Sequence, residues 1–154
     1  MTWYALLKFV HVLLAIVAVG ANVTYGVWLS RAARDRRHLP FALRGVQALD
    51  DRIANPAYVL VLVSGLAMLH AGDVSVRTPW ILVSLVLYTA GMGLGIFGYS
   101  PVLRRQIAVL DAGGADSPEF ARLSAAGRRL GIVLGVLVVA ITFLMVTKPA
   151  LWGT

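Results

Sequence analysis

The sequence predicts an all-α fold, a membrane-embedded antiparallel four-helix bundle with cytoplasmic helical extensions, and three observations predict it. The 154 residues are 59% hydrophobic and 14% charged, with mean hydropathy +0.81, against roughly 25% charged in a soluble domain. Four apolar stretches, at about residues 3–29, 41–71, 79–110 and 118–147, are each long enough as a helix to cross or nearly cross a hydrocarbon core of roughly 30 Å. Eleven of the fourteen basic residues fall in two connections: Arg31, Arg34, Arg36, Arg37, Arg44 and Arg52 after the first stretch, and Arg104, Arg105, Arg122, Arg128 and Arg129 after the third.

That last asymmetry is the positive-inside pattern. It places the protein in a cell inner membrane with both arginine-rich connections cytoplasmic and both termini outside. The net charge of +7 is then matched to anionic lipid headgroups, and nucleic acid is not among the expected partners. The length fits a single domain over 1–154. With no cysteine in the chain, disulfides, thiolate metal sites and cysteine nucleophiles are excluded.

The first span collects the polar groups. At alternating steps of four and three, Tyr4, Lys8, His11, Ala15, Ala18, Asn22 and Tyr25 share one helical face, with Leu6, Val10, Leu13, Val17 and Val27 opposite. An ionisable group facing lipid costs several kcal/mol, so the polar stripe is expected to face partner helices. Ala18-Val19-Gly20-Ala21 imitates a signal cleavage site, but Met1 to Leu7 carries no charged side chain and Lys8 lies inside the apolar run. An uncleaved span fits better.

Arg31 to Pro40 reads as a charged connector ended by a helix-stopping proline, and Phe41 to Ile53 resumes a helical pattern with Leu43, Val46, Leu49 and Ile53 on one side. A helix begun at Pro56 is too short to span, which predicts one helix from about Phe41 to Ala71, bent at Pro56. Thr78-Pro79-Trp80 opens the third helix with an N-cap and a proline in the first turn; Pro101 is a candidate bend. Asp111 to Asp116 is the clearest loop, and Ser117-Pro118-Glu119 opens the fourth helix the same way. Lys148-Pro149 ends it, with Trp152 as an outer anchor. Gly91, Gly95 and Gly98 in the third span and Gly127, Gly131 and Gly135 in the fourth suggest that these two helices pack closely.

Soluble-enzyme motifs are absent, and no catalytic residue is named by the sequence. With the first turns of the second helix read as cytoplasmic, no Asp or Glu lies within the membrane. The ionisable candidates there are Lys8, His11 and His70, all toward the outer side. His11 has two readings: a neutral imidazole hydrogen-bonded to the Tyr88 hydroxyl, or an axial ligand to haem or another metal. Lys8, one turn further out, either snorkels to the interface or meets an anionic group such as a propionate. His11, Lys8 and Tyr88 are therefore the candidate cofactor-binding residues, with His11 the metal ligand. His70 lies too near the interface to pair with His11, His38 belongs to the cytoplasmic side, and Met145 is a weaker second-ligand candidate.

Tyr4-x3-Lys8-x2-His11, then Gly20, Tyr25 and Arg31, Asn55-Pro56-Ala57 with Gly65, Trp80, and the closing Val146-x-Lys148-Pro149 resemble an uncharacterised bacterial family of small four-span membrane proteins. The pattern is similar, more distantly, to the HemJ-type protoporphyrinogen oxidases and to the copper-resistance CopD domain. In the HemJ-type enzymes the first-span histidine is implicated in haem b binding, and a third-span lysine a turn after the tryptophan in activity. By that resemblance His11 is the haem histidine, while the lysine position falls on Ser84. The departure bears on protoporphyrinogen oxidation rather than on haem binding.

Two functions follow as expectations. One is a haem b-binding, redox-linked membrane protein acting through His11. The other is a non-enzymatic accessory or assembly protein that docks a membrane partner, or a second copy, through its helix faces and cytoplasmic hairpins. A transporter is disfavoured, since neither an inverted repeat nor a mid-membrane charge pair occurs.

Overall fold

A computed structural model describes residues 2–151, all helix and connecting turns with no strand among them. Trp152 lies outside the described residues. Helix α1 runs over Trp3–Arg34, a 3₁₀ turn over Arg36–His38, α2 over Leu39–Leu49, α3 over Asn55–Ala71, α4 over Pro79–Leu94, α5 over Ser100–Asp111 and α6 over Pro118–Thr147. Two π-helical turns, Asp50–Ala54 and Gly95–Tyr99, join α2 to α3 and α4 to α5 without a break. The result is four antiparallel rods, each long and apolar enough to cross a membrane.

Local chemistry sets the ends. Thr2 Oγ1 accepts from the Ala5 amide at 3.3 Å and Ser117 Oγ from the Phe120 amide at 3.1 Å, each filling an orphan donor of a first turn. Thr78 stands at the N-cap of α4, but its backbone carbonyl accepts the Ile81 and Leu82 amides at 3.0 Å while its side chain makes no capping bond. Pro40, read from sequence as a stop, instead lies in the first turn of α2, where its missing N–H costs nothing.

The π turns have a common cause. Proline's ring clashes with the carbonyl four residues back. For Pro56 that residue is Arg52 and for Pro101 it is Phe97, and each lies within the widened turn just before the proline. An extra residue per turn moves that carbonyl aside, so the helix passes the proline without ending. It also shifts the face that follows.

Helix α1 packs chiefly along α3. Tyr4 lies against Gly72, His11 against Gly65, Asn22 against Tyr58 and Tyr25 against Asp50, so each step down α1 is matched by a similar step back along α2 and α3. Helix α4 packs on α6. Of the six glycines expected to form a ridge, Gly91 meets Leu137, Gly98 meets Leu130, and Gly127 meets Gln106 and Val102. Gly95, Gly131 and Gly135 have open space where a Cβ would stand, so only half the ridge is a contact.

Burial is concentrated at the arginine-rich end. Ala21, Tyr25, Leu43, Val46, Ala54, Tyr99, Leu103 and Phe120 form the core there, with the Tyr25 and Tyr99 rings stacked at 6.3 Å. The apolar rods beyond it expose Val136, Val139 and Val146 on their outer faces, as a bilayer contact requires. At the same end the two hairpins are clipped together by Arg36–Asp116, Arg44–Asp111 at 2.6 Å and Arg104–Asp51 at 3.2 Å. These pairs are exposed, so each adds little stability. Their common effect is register between hairpins.

Candidate functional site

The His11 side chain lies between α1 and α3, about 12 Å along α1 from its first residue. Gly65 makes the place for it: a Cβ there would stand 3.1 Å from the imidazole Cε1. His11 Nδ1 is 3.0 Å from Ser64 Oγ, and Ser64 Oγ is in turn 2.7 Å from the Leu60 carbonyl and 3.1 Å from that of Val61. A hydroxyl has one proton to give. With it donated to Leu60, Nδ1–H of His11 donates to Ser64 Oγ, and the lone pair is left on Nε2. This is how a metal-ligating imidazole is commonly oriented, one nitrogen held by an oxygen and the other free.

The expected His11–Tyr88 bond is not formed. The Tyr88 hydroxyl donates to the Tyr58 carbonyl at 2.5 Å, and the Tyr58 hydroxyl accepts from Asn22 Nδ2. The reason is register: Tyr88 faces α3 nearly two turns deeper than Ser64, so a nearer acceptor takes its proton. Tyr88 thus ties α4 to α3 rather than touching the imidazole. Lys8 is exposed one turn outward of His11, with no ion pair among the described residues. His70 is exposed in the last turn of α3, Met145 is exposed near the end of α6, and His38 meets Asp35 at the far end of the molecule. None of these joins His11.

Ser84 is fully buried on α4, and its hydroxyl has no partner among the described residues. By helix rise it lies about 8 Å from the start of α4, close to the level of His11 and Ser64. The layer therefore holds one imidazole nitrogen and one hydroxyl with capacity to spare. One imidazole nitrogen is thus the layer's single candidate ligand atom among the described residues.

A second polar cluster escaped the sequence reading. Asp50 is only 7% exposed; it accepts the Ser100 hydroxyl at 2.9 Å, the Asn55 amide at 3.4 Å and the Tyr25 hydroxyl at 3.5 Å. A carboxylate thus does lie inside the bundle, where α1, α3 and α5 converge at the two π turns. The signal was available: Leu43, Val46, Asp50, Ala54 and Ala57 form one buried stripe, whereas Leu49 is only half-buried at the core's edge and Ile53 turns outward to 43% exposure. Following the apolar residues led off that face. Among the described residues no group of three or more His, Cys, Asp or Glu could hold a metal ion.

The family comparison agrees with the four-rod architecture. A family model described as a predicted integral membrane protein, DUF2269, matches residues 5–149. Comparisons with curated proteins and with solved structures return no match. The match takes in all four rods, from Tyr4's neighbour Ala5 to Pro149, including His11, Gly65, Trp80 and Lys148. This chain belongs to the DUF2269 family of integral membrane proteins.

Proposed function

We propose that this protein binds haem b through His11 and takes part in membrane redox chemistry. The observation that carries the reading is the hydrogen bond between His11 Nδ1 and Ser64 Oγ; with the serine proton given to the Leu60 carbonyl, it favours the tautomer that leaves Nε2 able to ligate. In this reading Ser64 holds the ring, Gly65 gives it room, and Lys8 offers its ammonium to a propionate one turn further out. Bound there, haem would supply one-electron chemistry. The chain contributes orientation of the imidazole and an apolar surround that keeps bulk water away. The test is an absorption spectrum of detergent-purified protein expressed with haem supply. A Soret band lost in His11→Ala supports the reading; a colourless protein that takes up no added haemin overturns it.

The clipped hairpins favour a second reading, an accessory protein presenting a preformed surface to a membrane partner or a second copy. Arg36–Asp116, Arg44–Asp111 and Arg104–Asp51 hold the hairpins together, while Arg122, Arg128 and Arg129 of α6 make no ion pair among the described residues. A stoichiometric co-purifying protein without pigment would favour it. In either reading both termini lie outside and the arginine-rich end faces the cytoplasm, an orientation supported by the eleven basic residues at that end.

A further inference from the structure

Between the arginine-rich end of α1 and α2 lies an apolar groove of about 360 Å³, lined by Trp28, Phe41, Gly45, Leu49, Arg52 and Ile53. A second hollow of about 240 Å³ shares Trp28 and Phe41 with it and adds Arg31 and the Asp35–His38 pair. The groove wall is large, apolar and open: Phe41 is 70% exposed and Trp28 45%, their rings edge to face at 6.1 Å. Arg31 and Arg52 have neither an ion pair nor a side-chain hydrogen bond among the described residues, unlike Arg36, Arg44, Arg104 and Arg105. Asp35 is the one acid in the hollow, and His38 faces it at 3.8 Å.

Depth selects the occupant. Ile53 lies about 27 Å from the far end of α3 and Trp28 about 38 Å from the far end of α1. With a hydrocarbon core of roughly 30 Å inside a bilayer of about 40–45 Å, the groove runs from the edge of the acyl region into the headgroup layer. We propose that it binds an anionic phospholipid. The phosphate sits at the level of Arg31, whose guanidinium suits phosphate oxygens, and one acyl chain runs inward past Phe41 along Leu49 and Ile53, with Arg52 extending up the groove toward the headgroup. A zwitterionic lipid would bring its own cation toward these arginines, so the site discriminates by headgroup charge. Trp28 stands at the level where amphipathic rings concentrate.

The experiment is native mass spectrometry of the full chain released from detergent, with phosphatidylglycerol and phosphatidylcholine of identical acyl chains in competition. Wild type should retain phosphatidylglycerol in roughly tenfold preference, and Arg31→Gln with Arg52→Gln should reduce that to parity. Gly45→Leu should remove the bound lipid with both arginines intact, since a Cβ at Gly45 meets nothing within 4 Å and the fold has room for it. It also keeps the test decisive if the arginine pair variant loses its helical circular dichroism. Equal retention of the two lipids by wild type overturns the proposal, as does a Gly45→Leu protein that binds as well as wild type. Displacement of the lipid by glycerol phosphate alone would mean a plain anion site. A co-purifying protein released by Gly45→Leu would mean a protein groove.

Discussion

Lys148 holds its ammonium 5.6 Å from the centroid of the Trp80 ring, which joins the end of α6 to the first turn of α4. Lys148 can do so because it caps α6 in the left-handed conformation, φ 45°, with its amide donating to the Leu144 carbonyl. That turn breaks the helix axis and swings the side chain back over its neighbour. Two residues widely separated in sequence thus close the α4–α6 pair at the end remote from the arginines.

The contact should be measurable as a coupling. Trp80→Leu removes ring and packing, Lys148→Met removes the charge, and the double variant isolates their interaction. A partly exposed cation–π pair is worth about 0.5–1 kcal/mol. Thermal unfolding in detergent should show that much non-additivity; strictly additive losses would mean that the two residues stabilise the chain independently.

Glycine substitutions should sort by contact rather than by span. Gly65→Ala forces a Cβ to 3.1 Å from His11, and Gly72→Ala forces one to 2.9 Å from Tyr4 and 3.1 Å from the Met68 carbonyl. Both should lower the midpoint of thermal unfolding. Gly131→Ala and Gly95→Ala meet open space and remove a helix-weakening residue, so they should be neutral or stabilising by up to about 1 kcal/mol. This is not the order that the glycine spacing alone suggests, in which Gly95 and Gly131 belong to a packed ridge. A larger loss at Gly131 than at Gly72 would contradict the packing described above.

Asp50 should be needed for stability in a way that depends on shape as well as charge. Asp50→Ala leaves the Ser100, Asn55 and Tyr25 donors without their buried acceptor, at about 1–3 kcal/mol for each group left unpaired. Asp50→Asn keeps one carbonyl acceptor and should lose less. Hydrogen exchange should report the damage locally, with faster exchange across Gly95–Tyr99 and α5 than in α6. Uniform loss across all helices would mean that the cluster does not hold the two π turns.

What was legible in the sequence was whatever depends on length, polarity and end chemistry. The four rods, the capping Ser117, the polar stripe of α1 and the continuity of chain through Pro56 all follow from rules one residue long or periodic. Register was not legible. Whether His11 meets Ser64 or Tyr88 depends on sliding α4 against α3 by about two turns, which no local pattern fixes. The π turns defeated periodicity itself: one extra residue before Pro56 brings Asp50 and Ala54 inward and puts Ile53 outside. Half of the glycine ridge misled for a similar reason, since spacing identifies a helical face without saying what lies opposite.

Orientation gives a test independent of any ligand. With eleven basic residues at one end and Lys8, Arg77 and Lys148 elsewhere, a reporter active only in the cytoplasm should be silent at the C-terminus and active when inserted after Gly113, which lies in the α5–α6 turn at φ 78°. The reverse pattern would put the arginine-rich end outside and remove the basis for calling the His11 layer the outer one.

The most informative pair of variants is at His11 and its support. If Nε2 ligates haem, His11→Ala should abolish the Soret band. Ser64→Ala should weaken haem affinity by about 10- to 100-fold, because the ring loses the oxygen that fixes its tautomer and orientation. Ser84→Ala removes a buried hydroxyl that has no partner among the described residues, so without a ligand there it should be neutral or stabilising. A loss of haem in Ser84→Ala would bring that hydroxyl into the site. If His11 serves only packing, His11→Gln should keep a donor for Ser64 and unfold at the wild-type temperature, and Ser64→Ala should change stability without changing any spectrum. The two cases separate at Ser64, where a ligand site predicts a spectroscopic loss at unchanged fold and a packing site predicts thermal loss alone.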